Sequence, residues 1–156
     1  MQDERSERLR RRHNFETWEN RGTPVVIGEL TLRPDDLPGW QTRRESRNVS
    51  LDPPVAKSVW SRGDSVDELL GIELYRSASL RDAHRFLLWF LGEFQSDALE
   101  EQQQTGIGDV VFGISEPTML LFARANYVVH VYNAGPRTTS VIDAAKAIDR
   151  KIAAGT

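Results

Sequence analysis

The sequence predicts an α+β domain, an antiparallel sheet with two helices packed on one face. Apolar residues recur at spacings of three and four over residues 79–95 and again from Ser140, which is helical periodicity. They alternate at spacing two through residues 118–133, and short polar segments rich in glycine or proline separate the runs. A chain of 156 residues makes one core the default. We divide it into a charged segment, 1–22, read as a tail or marginal helix, and a single α+β domain, 23–156.

Within the first segment, Arg5, Arg8, Arg10, Arg11 and Arg12 are matched by Asp3, Glu4, Glu7, Glu16 and Glu19, so "RLRRRHNF" reads as a solvated arm rather than a phosphate-binding one. "TPVVIGELTL", 23–32, is a first extended segment and "RPDDLPGW", 33–40, a turn-rich loop. Residues 40–51 read as a strand closed by Pro53-Pro54. A hairpin follows, with strands near 57–62 and 68–76 joined around Gly63-Asp64. Over 79–95, Leu80, Ala83, Phe86, Leu87, Phe90, Leu91 and Phe94 form one stripe, with Ser79 as N-cap and Asp82 three positions on. Trp89 lies about 180° from Leu80 on that wheel and points away from the stripe.

Residues 96–108 are polar and end in "GIG", read as a loop. Strands at 109–115, 118–123 and 127–133 precede a last helix from Ser140 that aligns Val141, Ala144, Ala145, Ile148 and Ile152. Both helices open similarly, "SLRDA" and "SVIDA", which suggests a tandem strand-strand-strand-helix plan.

The hairpin 118–133 is apolar on both faces. A three-residue turn with Asn126 in the left-handed region pairs 123 with 127; a two-residue turn would slip the partner by one. Either way Tyr127, Val129 and Val131 share one face, and Val128, His130 and Tyr132 the other. The first is the natural seat for the helices. The second needs a cover: the N-terminal segment with Phe15 and Trp18, another protein or copy, or a small ligand.

The formal charge of −3 and pI near 5.6 argue against a nucleic-acid footprint. The absence of cysteine excludes disulfides, thiolate metal sites and a thiol nucleophile. The longest apolar run, "FLLWFL" at 86–91, is far shorter than the ~18 residues that span a bilayer, and as it stands the chain reads as soluble, without a membrane span. His13, His84 and His130 are too scattered for a metal signature, and no cofactor is implied. Ser115, His130 and Asp109 lack the nucleophile elbow of a hydrolase. In "GIGD" the glycines precede a strand instead of opening a helix, the wrong geometry for a phosphate.

The series "GIGDVVFG", "LLFARANYVVHVYN" and "AAKAIDRKI" resembles the C-terminal part of uncharacterised bacterial exported or lipoprotein-type domains, over residues 106–152. The resemblance implies a non-catalytic domain of the cell envelope. We therefore expect a binding or protein-interaction module, exported or in the envelope rather than cytoplasmic. Its contacts are expected at Val128, His130, Tyr132, Trp89 and Arg124, with a protein partner or self-association through an apolar sheet face. The alternative is a small cofactor-independent enzyme with a pocket near Asp109, Arg124 and His130.

Overall fold

The computed structural model describes residues 4–94, 99–102, 105–114 and 118–155. Seven strands form one antiparallel sheet: β1 (Trp40–Asn48), β2 (Val55–Arg62), β3 (Leu69–Arg76), β4 (Glu100–Glu101), β5 (Val110–Gly113), β6 (Met119–Arg124) and β7 (Tyr127–Asn133). Their order is β1-β2-β3-β7-β6-β5-β4, so two meanders meet along β3 and β7. Among the described residues there are three α-helices, α1 (Glu4–Arg12), α2 (Leu80–Glu93) and α3 (Ile142–Ala154). The α+β class with an antiparallel sheet is as the sequence predicts.

The helices, however, divide between the two faces. Ala144, Ala145, Ile148 and Ile152 of α3 pack with Ile72, Phe122, Val129 and Val131, whereas Ala83, Leu87 and Leu91 of α2 pack with Phe112, Leu121 and Val128. The physical reason is that β6 and β7 are apolar on both sides; with both helices on one face, Leu121, Ala123 and Val128 would remain in water. A tandem repeat finds no support either. A two-fold relating antiparallel β3 to β7 must run perpendicular to the sheet, which would keep both helices on one face.

Residues 23–32, expected as extended, form no ladder. They run across the α3 side with Val25, Ile27, Leu30 and Leu32 packed against its core. Asn126 fastens them: its Oδ1 accepts the Ile27 N–H (2.8 Å), and its Nδ2 donates to the carbonyls of Ile27 (3.0 Å) and Ser77 (2.9 Å). The Tyr127 hydroxyl adds bonds to the Gly28 carbonyl (2.6 Å) and the Leu30 N–H (3.0 Å). The turn between β6 and β7 is the two-residue one. Arg124 pairs with Tyr127, and positive φ falls on Ala125 (53°), not on Asn126, whose side chain is committed to that fastening.

Ser79 caps α2, its Oγ accepting the Asp82 N–H at 3.0 Å. Gly106 and Gly108 both have positive φ in the loop entering β5, and an added Cβ at Gly108 would lie 2.8 Å from the Ala123 carbonyl. The sequence boundary at residue 22 cuts through packed structure: α1 buries nothing, but the 3-10 helix Phe15–Asn20 buries Phe15 and Trp18 against α2 and β5. Ser115 lies outside the described residues.

Candidate functional site

Two of the predicted residues, Asp109 and Arg124, belong to a structural clamp. Arg124 grips Asp149 of α3 in bidentate fashion (2.7 and 2.8 Å) and reaches Asp109 at 3.4 Å, while Asp109 also accepts the Ala125 N–H at 2.9 Å. The bidentate hydrogen bonds hold the guanidinium charged, with its pKa raised. This clamp ties the hairpin turn to α3. Arg124 leaves the sheet beside Tyr127 on the α3 side; His130 points to the other face, so Asp109, Arg124 and His130 do not converge on one pocket. Nor is Arg124 a free binding residue.

The open interaction face predicted at Val128, His130 and Tyr132 is instead a graded one. Val128 is fully buried under α2. His130 is covered by Phe90 of α2 and by Phe94, the residue that follows the helix, with ring centroids at 5.5 Å in each case. Tyr132 stacks on His130 at 4.6 Å and lies over Gly71 of β3, where an added Cβ would fall 2.2 Å from the ring. The chain's own helix and 3-10 segment are the cover, because the strong apolar stripe of α2 and the pair Phe15 and Trp18 have no other surface to bury.

That cover stops at β3. The stripe on α2 is rotated from the sequence reading: His84 and Leu88 are buried, whereas Phe86, Phe90 and Phe94 are only half-buried along the flank facing β3. Beyond them the same sheet face continues across β2 and β1 through Lys57 opposite Glu73, Val59 opposite Gly71, and exposed Arg44 opposite Val59. The edge where α2 ends is lined by a continuous series of rings. Tyr75 meets Phe86 (4.7 Å) and Phe90 (5.4 Å), Phe86 meets Trp89 (5.6 Å), and Phe90 stacks on Phe94 (5.2 Å). Trp89 crowns the series and is 57% exposed.

At the foot of this aromatic shelf sits a polar group that sequence reasoning missed. Glu73 Oε1 faces His130 Nδ1 at 3.0 Å and accepts the Tyr75 hydroxyl at 2.9 Å, with Lys57 Nζ 3.8 Å from its other oxygen. Burial works to raise the carboxyl, but its contacts with His130, Tyr75 and Lys57 together outweigh it and hold Glu73 below the ordinary carboxylate range. Burial and the Glu73 charge push the Tyr75 hydroxyl up, so it remains a donor at neutral pH. Alternation along 68–76 places Glu73 and Tyr75 on one face, but nothing in the sequence says that β3 pairs with β7.

Chemically the arrangement is a ring surface with a fixed polar anchor. The clefts between α1 and α2 and along the β1–β2 edge are not lined by His130 or Glu73. Among the described residues no helix is long and apolar enough to cross a membrane, and no group of three or more acidic, histidine or cysteine side chains gathers as a metal site. Comparison with family models, with curated proteins and with solved structures finds no match to this chain.

Proposed function

We propose that the protein is a non-catalytic interaction module that docks a protein partner on the aromatic shelf along α2. One observation carries the reading: an unbroken chain of ring contacts runs from Tyr75 through Phe86, Phe90 and His130 to Tyr132 and stays half-open, with an exposed Trp89 set against Phe86 and Phe90. A tryptophan among half-buried rings is the composition of a binding hot spot, where large rigid side chains gain much apolar burial at small entropic cost. The Glu73 contact with His130 fixes the imidazole's orientation at the foot of the shelf, and the same sheet face continues beyond it onto β2 and β1. The site residues Val128 and Arg124 drop out of this reading, while His130, Tyr132 and Trp89 stay in it.

A cell-envelope setting is part of the proposal, supported by the resemblance over residues 106–152; fractionation of the native host would test it. The docking surface is tested by placing a photo-crosslinking p-benzoylphenylalanine at position 89 and, as control, at exposed Lys146 on α3. We expect a discrete crosslinked species from position 89 alone, its mass distinguishing a partner from a second copy. Equal or absent crosslinking at both positions would rule the shelf out.

A further inference from the structure

On the opposite flank of α2 from the shelf, α1 lies alongside and leaves a cleft of about 540 Å³. Its floor is Leu9, Leu88 and Trp89, and its rim carries Arg5, Arg10 and Arg85, with no acidic residue in the lining. We propose that this cleft binds a small organic carboxylate with an apolar, ring-bearing body. The inference goes beyond the interaction reading and does not depend on it, although Trp89 borders both surfaces.

Three features carry the assignment. The volume falls within the ~300–1,000 Å³ typical of small-molecule sites. Two of the rim arginines are already oriented. Arg5 donates to the Gly92 carbonyl at 2.7 Å and pairs with Glu93 at 3.4 Å; Arg10 lies 4.7 Å above the Phe15 ring and pairs with Glu16 at 3.3 Å. Each guanidinium has five N–H groups, so these anchors leave donors for a carboxylate, which guanidinium matches in planar, two-pronged geometry. Arg85 is exposed and sits four residues before Trp89, on the same side of α2.

The apolar floor sets the other half of the ligand. A bare anion would use the rim and leave Trp89 in water, whereas a ring laid on the indole would bury both surfaces. The contrast with a second cleft is instructive. That one, about 710 Å³, is lined by Glu4, Glu7, Arg8, Arg11 and Arg12, where carboxylates stand among the guanidinium groups and no apolar side chain forms a floor.

The probe is 1-naphthylacetate, titrated calorimetrically into the full chain beside its neutral isostere 1-naphthylacetamide and inorganic phosphate, with ¹H–¹⁵N shift mapping. We expect single-site binding of naphthylacetate that perturbs residues 5–10 and 85–89, binding of the amide at least tenfold weaker, and none of phosphate. Arg85→Gln, at an exposed position that leaves packing intact, should weaken naphthylacetate about tenfold. A bound ligand would also bridge two helices joined mainly by Leu9 over Gly92, raising amide protection across residues 5–10. Absence of binding at millimolar concentration, equal affinity for acid and amide, an Arg85→Gln chain that binds as well as the parent, or shifts centred on Tyr132 and Phe94 would each overturn the site.

Discussion

The two faces of the sheet are closed to different extents, and the difference separates a sealed core from the surface proposed for docking. On the α3 side, the core runs from Trp40 on β1 to Val111 on β5 and is sealed by α3 and by residues 25–37. Polar groups there are consumed internally, as at Asn126, Tyr127 and the Arg124 clamp. On the α2 side, the core reaches only from β5 to β7; its outer rings remain half-open and its floor continues into exposed Lys57 and Arg44. We expect substitutions on the α3 side to act on folding and those at the shelf edge to act on association.

The largest effect should come from phenylalanines compared across the sheet. Phe122→Ala empties a fully buried position on the α3 side and should cost ~3–5 kcal/mol. Phe90→Ala, at the half-open shelf, should cost only ~1–2 kcal/mol because part of its ring is already hydrated. Urea denaturation midpoints measure both. Equal losses would mean that the shelf is as much core as the α3 side.

Next in size is the fastening of residues 23–32. Asn126→Ala removes three hydrogen bonds and strands the buried backbone groups of Ile27, so we expect a loss of ~2–3 kcal/mol and faster amide exchange through residues 25–30. A change confined to the hairpin turn, with exchange at 25–30 unaltered, would show that packing alone holds the segment.

How much of this was written in the sequence follows from the range of the interactions. The faces of the 118–133 hairpin, the Ser79 cap and the α3 stripe were legible because each rests on neighbours within a few residues. What could not be read was pairing at a distance. No local pattern says that β3 meets β7, and that pairing alone brings Glu73 to His130 and rotates α2 so that its phenylalanines line an edge. Asn126 was legible as a turn residue but not as the fastening of a segment 99 positions away. Trp89 stood out in the sequence as an outward tryptophan, and it remains the strongest local signal of the candidate site.

Acid should probe the N-terminal side of the α2 core next. His84 and His13 flank Trp18 and Phe112 there: His84 lies 5.9 Å from Trp18, and His13 lies 5.1 Å from Phe112. Burial lowers the pKa of both. Around His84, Asp109 and Glu19 oppose that shift and Arg21 adds to it; around His13, Arg12 adds and Glu101 opposes. Below about pH 6.5 the unfolded chain therefore binds more protons than the folded one, and stability falls as pH falls, by at most ~1.4 kcal/mol per unit for each histidine. The Nε2 of His84 is buried without a hydrogen-bond partner among the described residues. His84→Leu should accordingly keep or raise stability at pH 7.5 and flatten its decline to pH 5.5. A decline as steep as that of the parent would place the acid sensitivity elsewhere.

The smallest effect is expected where α1 meets α2. A nine-residue helix is marginal alone, and α1 buries no residue completely; it is held by half-buried Leu9 over Gly92 and by Arg5 on the end of α2. Exposed ion pairs of this kind contribute little, so deletion of residues 1–12 should cost under ~1 kcal/mol and leave the thermal midpoint nearly unchanged. The same deletion removes Arg5, Leu9 and Arg10, half of the cleft, while leaving the shelf rings in place. Naphthylacetate binding should then be lost while crosslinking from position 89 persists, separating the two surfaces that share Trp89. A fall of many degrees would instead make α1 part of the core's closure, and the α2 side would be less open than its half-buried rings imply.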